Sequence, residues 1–282
     1  DLYPRWRCTV RPDRGRPEVV TAAIATANDD TLLFDVPRLR PDTPYTVEIV
    51  PEGSVPGFAP LTGSFTTAPQ PQRPGVVTLG LGSCAPSVSD AIWTRILDED
   101  VDGFVMLGDT PYIDSGDLTV ARTKQRDFLR VPELARLVSS MPVWGTWDDH
   151  DFGGNDIDGR FAGKRNTRTA FVDYRANATF GHDAGGRPLP RRTDGEGVYT
   201  SFRRGPVEVF LMLTLEGLFF EATAPTLRNT ETCKRPGRRV QGIDDPLGIR
   251  GRSFRSQRID NGFKLRHRHD QPSIRRELPH LI

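Results

Sequence analysis

Three short apolar runs, set apart by stretches of helical spacing, put the tightest limit on what this chain can fold into. They are Val76-Val-Thr-Leu-Gly-Leu81, Phe104-Val-Met-Leu107 and Val143-Trp-Gly-Thr-Trp147. Each is too short for a helix and lacks the strict polar alternation of a strand with one wet face. Such runs fit parallel strands covered on both faces. Between them, Ile92, Trp93, Ile96 and Leu97 recur at helical spacing. Further helical patterns cover residues 118–129 and 132–138, the second with Pro132 at its start, where a missing N–H costs nothing. A basic helix over 165–178 and a hairpin of 198–202 with 207–213 about Gly205-Pro206 follow. Strands alternating with helices predict a layered α/β domain over residues 76–214.

The first 67 residues carry a different period. Val19, Val20 and Ile24 lie in one apolar run and Leu32, Leu33 and Phe34 in the next, with Pro, Gly, Asn and Asp between them. A turn at Arg40-Pro-Asp-Thr-Pro44 then leads into the alternation Tyr45-Thr-Val-Glu-Ile49, and Phe65-Thr-Thr67 reads as a last strand. This spacing is similar to the end of a fibronectin type III sandwich, in which a Tyr after a turn pins the corner through its hydroxyl. Residues 1–67 are therefore expected to form an all-β sandwich of structural or targeting character. Residues 68–75 form a linker, stiffened by Pro69, Pro71 and Pro74.

Composition narrows the function classes. A net charge of +1 argues against a dominant polyanion-binding role for the chain as a whole, so no specific nucleic-acid partner is expected. No run approaches the roughly 20 apolar residues of a membrane helix. The opening on Asp1, without Met or an apolar leader, points to a mature form or a fragment. The sequence carries no signal for an oligomeric state. Cys8, Cys84 and Cys233 provide neither a disulfide framework nor a CxxC metal pair.

Polar motifs follow each of the three buried runs: Gly82-Ser83-Cys84, Gly108-Asp109-Thr-Pro-Tyr112 and Trp147-Asp148-Asp149-His150-Asp151. Open α/β sheets bind ligands beyond the carboxyl ends of their strands, so three such motifs converge on one site. Asp109, directly after a strand and Gly108, can bridge two cations, and Tyr112 can offer a phenolate to a strongly Lewis-acidic ion. Asp148, Asp149, Asp151, Asp156 and Asp158 crowd into eleven residues and repel one another unless solvated or paired with cations. A solvated loop is the usual explanation, but the run follows two tryptophans on a core strand, which favours burial beside a metal. Other chemistries drop out. Counted from Asp151, the sixth position is Asp156 where an EF-hand needs Gly. Residues 159–164 fall one short of a P-loop, with Arg165 where Ser or Thr belongs. Ser83 has no nucleophile elbow, and Cys84 lacks an Arg close enough behind it to hold phosphate, with Asp90 at that position, so Cys84 makes better sense as a thiolate metal ligand.

At these residues the chain resembles the PhoD-like alkaline phosphatases. Gly82-Ser-Cys-Ala85, Leu107-Gly-Asp-Thr-Pro-Tyr112 and Trp147-Asp-Asp-His-Asp151 match that family's motifs in order and spacing, over residues 76–213. The Gly-Asp-x-x-Tyr element is also similar to that of purple acid phosphatases, with their iron–tyrosinate bond. The resemblance implies a metallophosphoesterase fold, iron with calcium nearby, and extracytoplasmic or secreted hydrolysis of phosphomonoesters and phosphodiesters by metal-activated hydroxide. It assigns Cys84, Asp109 and Tyr112 to iron and Asp149 to the second metal. His150 falls beside the scissile phosphate, with Asn155 a weaker candidate there. The family's later Asp has no counterpart at Thr214-Leu215-Glu216. From Arg228 onward 14 Lys and Arg face 6 Asp and Glu over 55 residues, so residues 215–282 read as an Arg-rich, poorly structured tail. The α/β domain is then incomplete at its carboxyl end, by truncation or frameshift, with His267 and His269 the last candidate ligands. Weak or absent turnover is the corresponding expectation, and a non-catalytic, phosphatase-like surface-binding protein is the alternative.

Overall fold

In the computed structural model, residues 5–53, 58–190, 195–214, 217–223, 250–259 and 262–267 are described, with side chains as far as residue 212. Strands β1 (Arg5–Pro12), β2 (Glu18–Ala23), β3 (Pro44–Pro51) and β4 (Leu61–Thr66) form one antiparallel sheet in the order β2-β1-β3-β4. Alternation aims Cys8, Val10, Val47, Ile49 and Phe65 at a single face. The expected corner is present: buried Tyr45 accepts the Arg40 N–H on its hydroxyl at 2.8 Å, and its ring stacks on Phe65 at 5.6 Å.

The second sheet of a sandwich is not among the described residues. In its place residues 31–40 cross the apolar face as extended coil, bringing Phe34, Val36 and Leu39 onto Cys8, Val10 and Tyr45. Of the run Leu32-Leu33-Phe34, Phe34 thus joins the core without the run being a strand. Pro37 and Pro41 lack ladder donors, and Arg38 and Asp42 take left-handed backbone angles that no strand accommodates.

The second unit begins with β5 (Thr78–Gly82), α1 (Ile92–Leu97), β6 (Gly103–Leu107), α2 (Leu118–Leu129), α3 (Pro132–Ser140) and β7 (Val143–Thr146). It continues through α4 (Asp149–Phe152), α5 (Lys164–Tyr174), β8 (Thr179–His182), β9 (Pro188–Pro190), β10 (Thr200–Arg204), β11 (Val207–Thr214) and β12 (Gly217–Thr223). The last strands are β13 (Arg250–Ile259) and β14 (Gly262–His267). The main sheet runs β14-β13-β5-β6-β7, parallel from β13 through β7. As their continuous apolar runs require, β5, β6 and β7 are covered on both faces. One face packs Phe104 and Met106 against Trp93, Ile96, Phe128, Leu134 and Leu137 of α1, α2 and α3. On the other face, Leu79 and Val105 meet Val207, Val209 and Leu211 of a second sheet, β10-β11-β12. Trp144 there stacks on Phe202 at 3.8 Å. Each large apolar chain fully buried in these layers contributes about 1.5–3 kcal/mol.

Among the described strands β7 is an edge strand, half-buried at Val143 and Trp144 and buried at Gly145 and Thr146. Asn177 accepts the Gly145 N–H at 3.1 Å and donates to its carbonyl at 2.7 Å, doing with a side chain what a neighbouring strand would do. The basic helix is shorter than the expected 165–178, because α5 ends at Tyr174 and Arg175 turns extended. The Arg-rich segment falls largely outside the described residues, as do His269 and Cys233. Of His267 only the backbone, in β14, is described.

The two units meet along polar contacts. Arg122 of α2 binds Asp173 of α5 and the Ala27 carbonyl, while Arg126 and Tyr174 both reach Asp29. Among the described residues, no helix is long and apolar enough to cross a membrane.

Candidate metal centre

The registers of β5, β6 and β7 set Gly82 beside Met106 and Leu107 beside Thr146, so the loops that follow emerge side by side. After β5 the chain turns at Cys84, whose left-handed backbone lets its N–H reach the Gly108 carbonyl at 3.1 Å. The next N–H, of Ala85, bonds the Asp109 carbonyl at 2.9 Å. After β6, Gly108 takes a positive φ and lies against the β7 loop: a Cβ there would stand 2.5 Å from both Cβ and N of Asp148. Only a residue without a side chain allows that approach.

After β7, Asp148 caps α4 in a capping box with Asp151. Asp151 is buried and turned inward, away from the acids around it. Its carboxylate accepts the N–H groups of Asp109, of Thr110 at 3.1 Å and of Asp148 at 3.0 Å. Beneath it, buried Arg175 donates to the Thr110 carbonyl.

These loops gather Asp109, Asp149 and His150 so that one ligand atom of each lies within 4.8 Å of the others. The Cys84 thiol donates to Asp109 Oδ2 at 3.5 Å. The Tyr112 ring meets the His150 ring edge-on, centroids 4.6 Å apart. All five residues singled out in the sequence therefore share one cluster at the carboxyl end of the sheet. Asn155 stands apart on an exposed loop, its amide on Asp156, whose own N–H bonds Asp149 Oδ2 at 2.6 Å.

Burial dominates the electrostatics of these acids. Burial raises the Asp109 carboxyl above its ordinary range, and neighbouring Asp149 adds to the rise. Asp148 is pushed up to about 6 by burial and by Asp109. Asp151 is pushed up to about 7 by burial, which outweighs its N–H bonds and the charge of Arg175. Burial also raises the Cys84 thiol. For His150, burial disfavours the charged ring, but the Asp114 hydrogen bond and the surrounding carboxylates outweigh it and raise the pKa. A cation among these groups would reverse the repulsion. One atom fits that demand closely. Asp109 Oδ1 is buried and has no hydrogen-bond partner, so a carboxylate lone pair is left for a cation to use. The donor set of thiol, phenol, imidazole and carboxylate suits a transition metal beside a harder cation.

Several working residues escaped the sequence reading. Asp114 holds His150 Nδ1 at 2.5 Å, which leaves Nε2 as the free ring nitrogen. Its signal was its place five residues past Asp109 in the same loop, since ring nitrogens in such sites need an orienting acid. Lys124 of α2 steadies that loop from below, donating to the carbonyls of Tyr112 at 3.1 Å and Ile113 at 2.8 Å. Arg175 and Asn177 had no local signal.

Neither a family model nor a curated protein matches the sequence. Among solved structures, one of PhoD is similar, with a TM-score of 0.57 and 16% sequence identity over 72% of this chain and 44% of that one. The chain thus spans less than half the length of that protein, and the fold it shares with it is PhoD-like.

Proposed function

We propose that the chain carries the metal-binding face of a metal-dependent phosphoesterase acting on phosphomonoesters, phosphodiesters or both. The observation that carries this is the gathering of Asp109, Asp149 and His150, one ligand atom of each within 4.8 Å of the others, with Asp109 Oδ1 buried and without a hydrogen-bond partner. The motif resemblance to PhoD-like alkaline phosphatases and the PhoD-like fold support it. Cys84, Asp109 and Tyr112 would hold iron, and Asp109 with Asp149 a neighbouring calcium. When bound, such ions supply Lewis acidity toward a phosphoryl oxygen and an acidified water. The chain's own residues do the rest. Asp114 fixes the His150 ring and favours its charged form, so Nε2–H can donate to a phosphate or leaving oxygen. Tyr112 packs edge-on against that ring and restricts its rotation. By the same resemblance, the setting is extracytoplasmic.

The test is metal content by mass spectrometry after loading with iron and calcium, together with hydrolysis of p-nitrophenyl phosphate and its bis-ester. Metal uptake and turnover that both vanish in Asp109→Ala support the proposal. Wild-type protein that takes up no metal overturns it.

A further inference from the structure

We propose that Asp151 is the positioning residue of this centre, acting through the backbone N–H groups of Asp109 and of Asp148, the residue before Asp149, rather than on a metal or substrate. It rests on the metal reading above. Asp151 is 2% exposed, and both of its oxygens are occupied by backbone N–H groups. Those groups come from two different loops. Asp109 and Thr110 follow β6, whereas Asp148 follows β7 and directly precedes Asp149. One carboxylate therefore fixes where two metal-facing acids start from the backbone. Lacking a Cβ, Gly108 lets the loops close to the distance that a single carboxylate can span.

Two further contacts seat this clasp. The His150 carbonyl accepts the N–H groups of Ile113 at 3.0 Å and Asp114 at 3.1 Å, tying the same loops on the far side. Arg175 is 7% exposed and donates to the Thr110 carbonyl, so the peptide whose N–H reaches Asp151 is held by the next one as well. The Asp109 side chain leaves the clasp with Oδ1 free and Oδ2 on the Cys84 thiol. Small shifts of that backbone would move Oδ1 relative to Asp149, and ligand distances in a metal site tolerate only a few tenths of an ångström. Asp151→Asn sets an NH2 group against at least one of the gathered N–H donors and so opens the clasp with little change of volume.

The experiment uses the whole chain and Mn2+ alone, read by calorimetry, with the thermal midpoint of the metal-free protein measured beside it. Asp151→Asn is expected to weaken Mn2+ binding about tenfold or more, the range seen when groups behind metal ligands are removed. Asp151→Glu, which keeps both acceptors but moves them by one methylene, should fall between wild type and Asn. The control is Leu134→Ala in the helix-side core, which lowers the midpoint without touching the loops. Its Mn2+ affinity should stay within about twofold of wild type. Asp151→Asn binding like wild type, or Leu134→Ala losing as much affinity for an equal fall in midpoint, overturns the proposal. Should Asp151→Asn fail to fold, Asp151→Glu is judged against Leu134→Ala alone, and wild-type affinity in the Glu variant overturns it. Wild-type protein that binds no Mn2+ sinks the metal reading itself, a different outcome from an indifferent Asp151.

Discussion

Asp173→Ala is expected to cost about 3 kcal/mol, because Asp173 anchors the polar contact between the two units. Its side chain is 1% exposed and that of Arg122 15%. Arg122 donates Nε at 3.0 Å and Nη2 at 2.8 Å to Oδ2, and Asn28 donates to Oδ1 at 3.1 Å. Removing the carboxylate leaves a guanidinium and an amide facing a void. Breaking one side of a buried pair costs about 3–5 kcal/mol. Arg122 keeps some access to water, which places the cost at the lower end. For a chain of this size that lowers the thermal midpoint by about 6–12 °C, at roughly 2–4 °C per kcal/mol. Urea unfolding of Asp173→Ala, Arg122→Met and the Arg122→Met/Asp173→Leu pair tests the logic. The apolar pair should regain much of the loss, since neither charge is left alone. A single-variant loss below about 1 kcal/mol, as for an exposed ion pair, would refute the reasoning.

Gly108→Ala is expected to destabilise by about 3 kcal/mol or more and to abolish Mn2+ uptake, combining a positive-φ penalty with a methyl driven onto Asp148. A variant that unfolds at the wild-type urea midpoint would count against the close loop contact. Tyr174 contributes a pH-dependent term: its hydroxyl is raised to about 12 by burial and by the bond to Asp29. A folded pKa above the unfolded value of about 10 gives stability that is full below pH 10 and lost as pH climbs toward 12. The gap in urea midpoint between wild type and Tyr174→Phe should therefore shrink across that window. A gap that widens there would contradict the assignment.

The parts of the fold legible in the sequence were those set by burial on both faces. Runs such as Phe104-Val-Met-Leu107 have no polar side to offer water, and they emerged as adjacent parallel strands. Tyr45 was legible for another reason: a corner tyrosine needs only the local turn and its own hydroxyl, and the Arg40 bond is five residues away. The run Leu32-Leu33-Phe34 was less so. Its composition specifies burial, but whether the backbone also pairs depends on Pro37, Pro41 and the left-handed residues beside them. Hydrophobicity read along a chain reports what is covered, not what its N–H groups do.

The same division runs through the site. That Cys84, Asp109, Tyr112, Asp149 and His150 lie together was legible because each belongs to a short motif at the end of a buried strand. The acids around them could not be sorted by sequence, since Asp148, Asp149 and Asp151 are the same side chain at neighbouring positions. The structure separates them by direction. Asp149 faces His150 and Asp109, Asp148 caps α4, and Asp151 points back into the protein to collect three backbone amides. Those amides belong to loops 42 and 3 residues away along the chain. No local pattern encodes such a contact, and neither does one encode Arg175 reaching Thr110 across 65 residues. The motif thus supplies the chemistry, while the geometry that makes it usable is held by residues whose partners exist only once the sheet has formed. Substitutions at Asp151, Arg175 or Gly108 should accordingly disturb metal uptake by shifting the loops, although none of the candidate ligands themselves is changed.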